Sequence, residues 1–469
     1  MMGCAHLLPA AVAVLSSSSQ ENMPPHTLLW DGEFLLRTRA ASSTNPATAA
    51  AVTALRSVAS VHVHDGPFSV LDKGFVPPSG DKRDFMTLSA YYWPCNETCS
   101  KSLAPNGDCS RFCSGSNNNC NYTAIPSGCP NSKSWCNNGP HVYGKNGTGG
   151  DCSCPACDEA TGIPWAAHDG YNWPHATDDR GEVDKLWGAV VPLTLAWYYS
   201  GEKTFLDRAV VLLRAWFTSP ITGMRPNLRF ADTIPGVGAE CGGTVNFARF
   251  GRALDCILLI EHGDSEAQTW TATDRRTMRA FVSQFLEWWL YSRAGSCVRE
   301  TKANIGMAYE INALTMALFV NDSALARSIA NNHTATRLNT QINGSGVPIL
   351  DAPRPDGFGY GEFCVRRRGI MVSYNTSTMN VAVSESLFDA AAGDFMGLMD
   401  LARVALLAGG SIDLYTYVNT TTGASLAAVG QFFEPFCSAK CNTTLGHDAM
   451  AKCIGWPFHQ VKVESPQRY

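Results

Sequence analysis

Apolar residues recur along most of this chain at i, i+3, i+4 spacing, the pattern of helices with one face turned inward. The spacing predicts a first helix over 49–61, "AAAVTALRSVASV". From 183 on, helix follows helix: 183–199, 203–217, 245–261 and 273–292, then 307–319, 323–342, 386–408 and 425–433. The connections are short, with Gly, Ser, Asn or Asp at the helix starts. Strands do not alternate with these helices, which speaks against a doubly wound sheet. The pattern predicts an all-α array of antiparallel helix pairs. Periodicity does not choose between a toroid and a solenoid, and no fixed-period repeat stands out.

Two segments break the pattern. A Pro- and Gly-rich loop, 74–88, leads into the aromatic cluster "AYYWP" at 90–94. From about 95 to 160 the periodicity vanishes among Asn, Gly, Ser and Pro, and ten of the 18 cysteines fall between Cys95 and Cys157. "CSCPAC" (152–157) is spaced tightly enough for a metal, but no second CxxC pair and no His at zinc-finger distance accompanies it. A segment that cannot build a core needs staples, so a disulfide-rich irregular insertion without metal is expected.

That composition changes the picture of compartment. Nine N-x-S/T sequons are present, at Asn96, Asn121, Asn146, Asn321, Asn332, Asn343, Asn375, Asn419 and Asn442. "HLLPAAVAVLSSSSQ" (6–20) has the apolar core and small-residue tail of a signal peptide, without Lys or Arg ahead of it. The expectation is a signal peptide over 1–19 and one secreted, extracellular domain over 20–469, interrupted by the insertion. If Cys4 leaves with the signal, 17 cysteines remain, and one thiol is left free or bridges two chains. No further apolar run reaches membrane-spanning length. A net charge of −5 and the lack of a basic arm exclude a global field for nucleic acid. No cofactor is implied, and a polyanionic ligand has to be met by local Arg or Lys.

"KANIGMAYEINALTMALF" (302–319) raises the question of chemistry. Asn304 stands at the mouth of an apolar helix, where Asn is a favoured N-cap. Three other stretches resemble the alginate-lyase superfamily of polysaccharide lyases. "PPSGDKRDFMTLSAYYWP" (77–94) resembles that family's PPSGDKHDYxSLxPYWWP, and "PWAAHDGYNWP" (164–174) its PYxRRDGxxNP. "WYYSGEKTFLDRAVVLLRAWF" (197–217) with "MRPNLRFADTIPGV" (224–237) resembles its YYxTGDExYAxKAxxLLRxWF…MNPNLNYAQxIPG. The likeness runs in order through most of 60–435. It implies an incomplete (α/α) toroid whose central groove holds an acidic polysaccharide, the expected substrate.

The resemblance implies roles residue by residue. Where members carry KNNHGTWYD, this chain matches at Asn304, Gly306 and Tyr309, while the His position is Ile305. The Asn contacts the uronate carboxylate and the His assists proton chemistry, so here only the first role survives. "LDAPRPDGFGY" (350–360) aligns without a gap to LELARTRSLHY, which places Arg354 on an Arg and Tyr360 on the catalytic Tyr. A rival register puts Tyr374 at the site, but needs an insertion ahead of the Tyr. Catalytic candidates are thus Tyr360, Asn304 and Arg354, with Tyr309, Arg229, Trp93, Tyr92 and His168 as substrate-binding candidates.

Plainer readings stand beside these. Tyr309, Tyr92 and Trp93 also fit as packing aromatics. Arg366–Arg368 fit a solvated face, Arg249 and Arg252 surface or ion-pair positions, and His168 and His175 structural positions. Three functions follow: a lyase acting by β-elimination, a silent glycan-binding relative lacking the His, and a glycoside hydrolase. The last needs two converging carboxylates, for which Asp169, Asp232 and Glu362 are present without a paired-acid signature.

Overall fold

The structure is a computed structural model and describes residues 23–88, 92–94, 165–167, 179–234, 238–239, 241–264, 269–301, 304–344, 397–429 and 431. Helices α1 (Gly32–Ala41) and α2 (Pro46–Val61) open it. Each starts on a polar cap. Asp31 accepts from the Phe34 N–H, and Asn45 from those of Ala47 and Thr48, with Pro46 preset for the first turn. The pattern predicts α2 but not α1, whose residues GEFLLRTRAA mix charge into the apolar spacing.

The remaining long helices alternate between two layers. α3 (Asp179–Ser200) turns at Gly201 into α4 (Lys203–Leu213), which continues as a π-helical turn, Arg214–Thr218. α5 (Phe250–Gly263), α6 (Ala272–Tyr291), the short α7 (Arg293–Arg299), α8 (Asn304–Phe319) and α9 (Ser323–Gln341) follow. α3, α5 and α8 pack side by side, while α4 lies on α3, and α6 and α9 lie on α8. A capping box between Thr271 and Asp274 opens α6. Asn321, at φ 62°, closes α8 in a Schellman turn, with the Asp322 N–H on Ala317 O at 2.9 Å. Residues 397–407 form a further helix.

Strands are few and short. β1 (Met86–Leu88) pairs in parallel with β4 (Phe230–Ile234), and β4 pairs antiparallel with β5 (Gly238–Ala239). β2 (Tyr92–Pro94) pairs antiparallel with β3 (Trp165–Ala167). A 3-10 segment, Cys241–Phe247, bridges β5 to α5. Its last residue belongs to an aromatic cluster with Trp187, Phe250 and Phe285, packed edge-to-face at centroid distances of 5.4–5.8 Å. Such contacts add about 0.5–1.5 kcal/mol each to the burial itself. That anchors the 3-10 segment on α3, α5 and α6.

The Cys-rich insertion lies outside the described residues, apart from the Trp93–Pro94 approach to it. Cys256 is a free, buried thiol, and Cys297 on α7 is disulfide-bonded. No helix among the described residues is long and apolar enough to cross a membrane.

Candidate active site

Two of the recognised stretches bind each other residue by residue. Arg225 donates to Asp81 Oδ2 from Nε (2.9 Å) and Nη2 (2.7 Å), and Arg83 Nε donates to Gly223 O at 2.8 Å. Asn227 Nδ2 donates to Asp84 at 3.2 Å, and the Asp232 N–H to Thr87 Oγ1 at 2.8 Å. The Arg83 N–H and then Arg225 hold the Asp81 carboxyl below its ordinary range. The seam leads directly into the β1–β4 pairing, where Met86 lies opposite Phe230. Beneath it Lys73, with a fully buried side chain, pairs with the equally buried Asp179 at 2.9 Å, and Asp179 also accepts from the Met86 N–H. Burial lowers the Lys73 pKa against the pull of Asp179. Lys82 donates to Leu71 O and Lys73 O. Of the basic residues of PPSGDKRDF, Lys82 therefore holds its own loop, while Arg83 ties that loop to Gly223.

The seam ends in a polar node. Asp232 adopts φ 49°, a left-handed conformation uncommon for a non-Gly residue. Its Oδ1 accepts from Arg180 Nη2 (2.6 Å), Thr87 Oγ1 (3.1 Å) and Asn246 Nδ2 (3.2 Å). Arg180 also donates to Leu88 O, and Asn246 to Gly243 O. One carboxylate thus joins β1, β4, the first turn of α3 and the 3-10 segment. Sequence reading names Asp232 but misses Arg180, Asn246 and Thr87, because 145 residues separate Thr87 from Asp232. The positive φ is the clue, and it is visible only in the fold.

The 3-10 segment carries the node to the start of α8. Gly243 lies against β4 so closely that a Cβ would stand 2.6 Å from Ala231 backbone atoms, so only Gly fits. A Cβ on Gly242 would stand 4.0 Å from Ile305 Cδ1. Asn312 Nδ2, buried on α8, holds Phe247 O at 2.9 Å. α8 begins at Asn304, whose turn therefore adjoins the node across the 3-10 segment. Helix N-termini offer unpaired N–H groups and a partial positive charge, which suit an anion.

The predicted site residues divide as follows. Asn304 is the first residue of α8. Tyr309, at 2% exposure, stacks on Trp289 at 5.6 Å, with its hydroxyl donating to Trp289 O. Burial pushes its phenol up to about 12, so packing is the role its surroundings support. Arg229 is exposed, its guanidinium 5.3 Å from the Phe230 ring centroid. Tyr92 and Trp93 lie on β2 opposite Ala167 and Ala166, which joins the first recognised stretch to the second. Arg252 pairs with Asp400 at 2.7 and 2.9 Å, and Arg249 is exposed ahead of α5. Tyr360, Arg354, His168, Tyr374, Arg366–Arg368, His175, Asp169 and Glu362 lie outside the described residues.

Alternating helical layers, with short strands gathering polar residues at the mouth of α8, define a fold seen before. It is shared with an alginate lyase from Bacteroides ovatus, whose crystal structure at 1.60 Å resolution matches with TM-score 0.62 and 21% identity. The match covers 92% of this chain and 89% of that one. A family model described as alginate lyase matches residues 69–366, well over half of the chain. The chain belongs to the alginate lyase family. Among curated proteins none matches it in sequence.

Proposed function

We propose that this protein is a secreted polysaccharide lyase that cleaves a uronate-containing acidic polysaccharide, of alginate or glucuronan type, by β-elimination. Membership of the alginate lyase family carries the reading. The start of α8 at Asn304 beside the Asp232 node supports it locally. We read the two helical layers as an incomplete (α/α) toroid, with acidic glycan along its groove and a disulfide-stapled insertion at about 95–160. The sequons, the cysteine-rich insertion and the disulfide at Cys297 support an extracellular setting.

In β-elimination a base takes the C5 proton, the C4–O bond breaks, a C4=C5 double bond forms, and the departing oxygen takes up a proton. The intermediate places added negative charge on the uronate carboxylate, which Asn304 and Arg354 would stabilise as donors in a dry site. Tyr360 would serve as base and then acid. A free phenol has a pKa near 10, and a neighbouring Arg lowers it by favouring the phenolate.

One observation favours a second reading. Ile305 holds the family's His position and packs partly buried against the apolar core, so it contributes no proton-transfer group. A silent glycan-binding relative is the alternative. A hydrolase is disfavoured, since Asp232 is engaged by Arg180, Thr87 and Asn246.

Incubation with alginate and glucuronan, read by the ultraviolet absorbance of the 4,5-unsaturated uronate, separates all three. The expected result is rising absorbance that is abolished in Tyr360→Phe and falls about a hundredfold in Asn304→Ala. An Asn304→Ala enzyme with unchanged turnover and about 1 kcal/mol less stability would reduce Asn304 to a helix cap. Binding without product would establish the silent relative.

A further inference from the structure

A buried arginine stands behind the start of α8. Arg337, on α9 and 4% exposed, directs three donors in three directions. Nε reaches Glu310 Oε2 at 3.3 Å on α8, Nη2 reaches Arg299 O at 2.7 Å, and Nη1 reaches Thr301 O. Glu310 itself is 1% exposed. The two carbonyls lie at the end of α7, immediately ahead of Asn304. Gly306 makes room for the arrangement, since a Cβ there would stand 2.5 Å from Arg337 Nη1 and 2.3 Å from Thr301 O.

Burying an ion pair contributes little net stability compared with apolar residues of the same size, so packing alone does not explain this one. The planar fork of Arg suits it, because one rigid group can hold two carbonyls and a carboxylate at once, which an ammonium on a flexible stem does not. We propose that Arg337 is a positioning residue, which clamps the end of α7 to α8 and so fixes the first turn of α8 that presents Asn304. This rests on the role given to Asn304 above. Glu310 orients the clamp from the α8 side. A displacement of about 1 Å in a catalytic group is enough to lower turnover a hundredfold, so the clamp acts on rate more than on affinity.

The test is Arg337→Lys in the full chain, with Glu310→Gln as the conservative partner that keeps an acceptor for Nε. Three quantities are read: thermal unfolding, amide hydrogen exchange in peptides spanning 299–310, and kcat and KM on the uronan that wild type cleaves. Arg337→Lys is expected to fold, to exchange at least tenfold faster in 299–310 only, and to lose ten- to a hundredfold in kcat with KM within about twofold. Glu310→Gln should stay within about threefold of wild type. If Arg337→Lys does not fold, Arg337→Met with Glu310→Met removes both charges and is read the same way. Wild-type exchange in a folded variant overturns the proposal, as does faster exchange with unchanged kcat. If wild type yields no unsaturated product, the lyase reading falls by itself, and the exchange measurement still decides the clamp: faster exchange supports it and unchanged exchange overturns it.

Discussion

Glu310 illustrates how a single residue acquires its properties from its neighbours. Burial pushes its carboxyl up to about 7, while Arg337 and, less strongly, Arg299 pull it back. Glu300, His333 and Tyr309 complete the surrounding ionisable cluster. An unfolded Glu titrates near 4.3, so between about 4.3 and 7 the folded chain binds the extra proton. Stability from this group is therefore fully present below about pH 4.3 and is lost as pH rises through about 7. Glu310→Gln removes that dependence. Chemical denaturation at pH 5 and pH 8 should show wild type losing on the order of 2 kcal/mol more than the variant across this range. Equal losses would mean that the carboxyl titrates as an ordinary one. Tyr309, one residue away, follows the same physics: desolvation raises its phenol, and the ring packs on Trp289.

At the scale of elements, the long helices were legible because their apolar spacing is imposed by burial on one face. Their ends were less so. The run 203–217 reads as one helix, yet α4 gives way to a π-helical turn at Arg214, where Arg214 turns its side chain to Asp274 and Thr269 O. The run from 245 starts as a 3-10 segment and becomes α5 only at Phe250. The short strands were not legible, since three residues carry no period and their pairing joins positions far apart in sequence. The seam they form depends on close backbone approach at Gly243. Gly243→Ala should destabilise by about 1–3 kcal/mol, because the obstructing atoms belong to Ala231 and its backbone. Gly242→Ala meets only Ile305 Cδ1 at 4.0 Å and should stay within about 0.5 kcal/mol. Thermal unfolding of the pair checks this, and equal stability would mean that the seam yields freely.

For the molecule as a whole, the family was readable from three stretches, yet those stretches turn out to build the scaffold of the site. Asp81, Arg83 and Arg225 clasp two loops, Lys73 reaches β1 through Asp179, and Lys82 closes its own loop on Leu71 and Lys73. The polar node at Asp232 was hidden because its three partners come from three elements other than its own strand. Cysteine chemistry links this scaffold to its compartment. If Cys4 leaves with a signal peptide, the odd count of 17 calls for at least one unpaired thiol, and Cys256 is free. It is fully buried, and burial raises its thiol pKa, so it is inert in the folded protein. An oxidised, secreted protein should then take up no alkylating label when native and one when denatured without reduction. After reduction all 17 cysteines should react, the ten of the insertion among them. Intact mass spectrometry counts the labels directly. Extensive labelling before reduction, or stoichiometric zinc released as the thiols react, would replace the stapled insertion with a metal-held one.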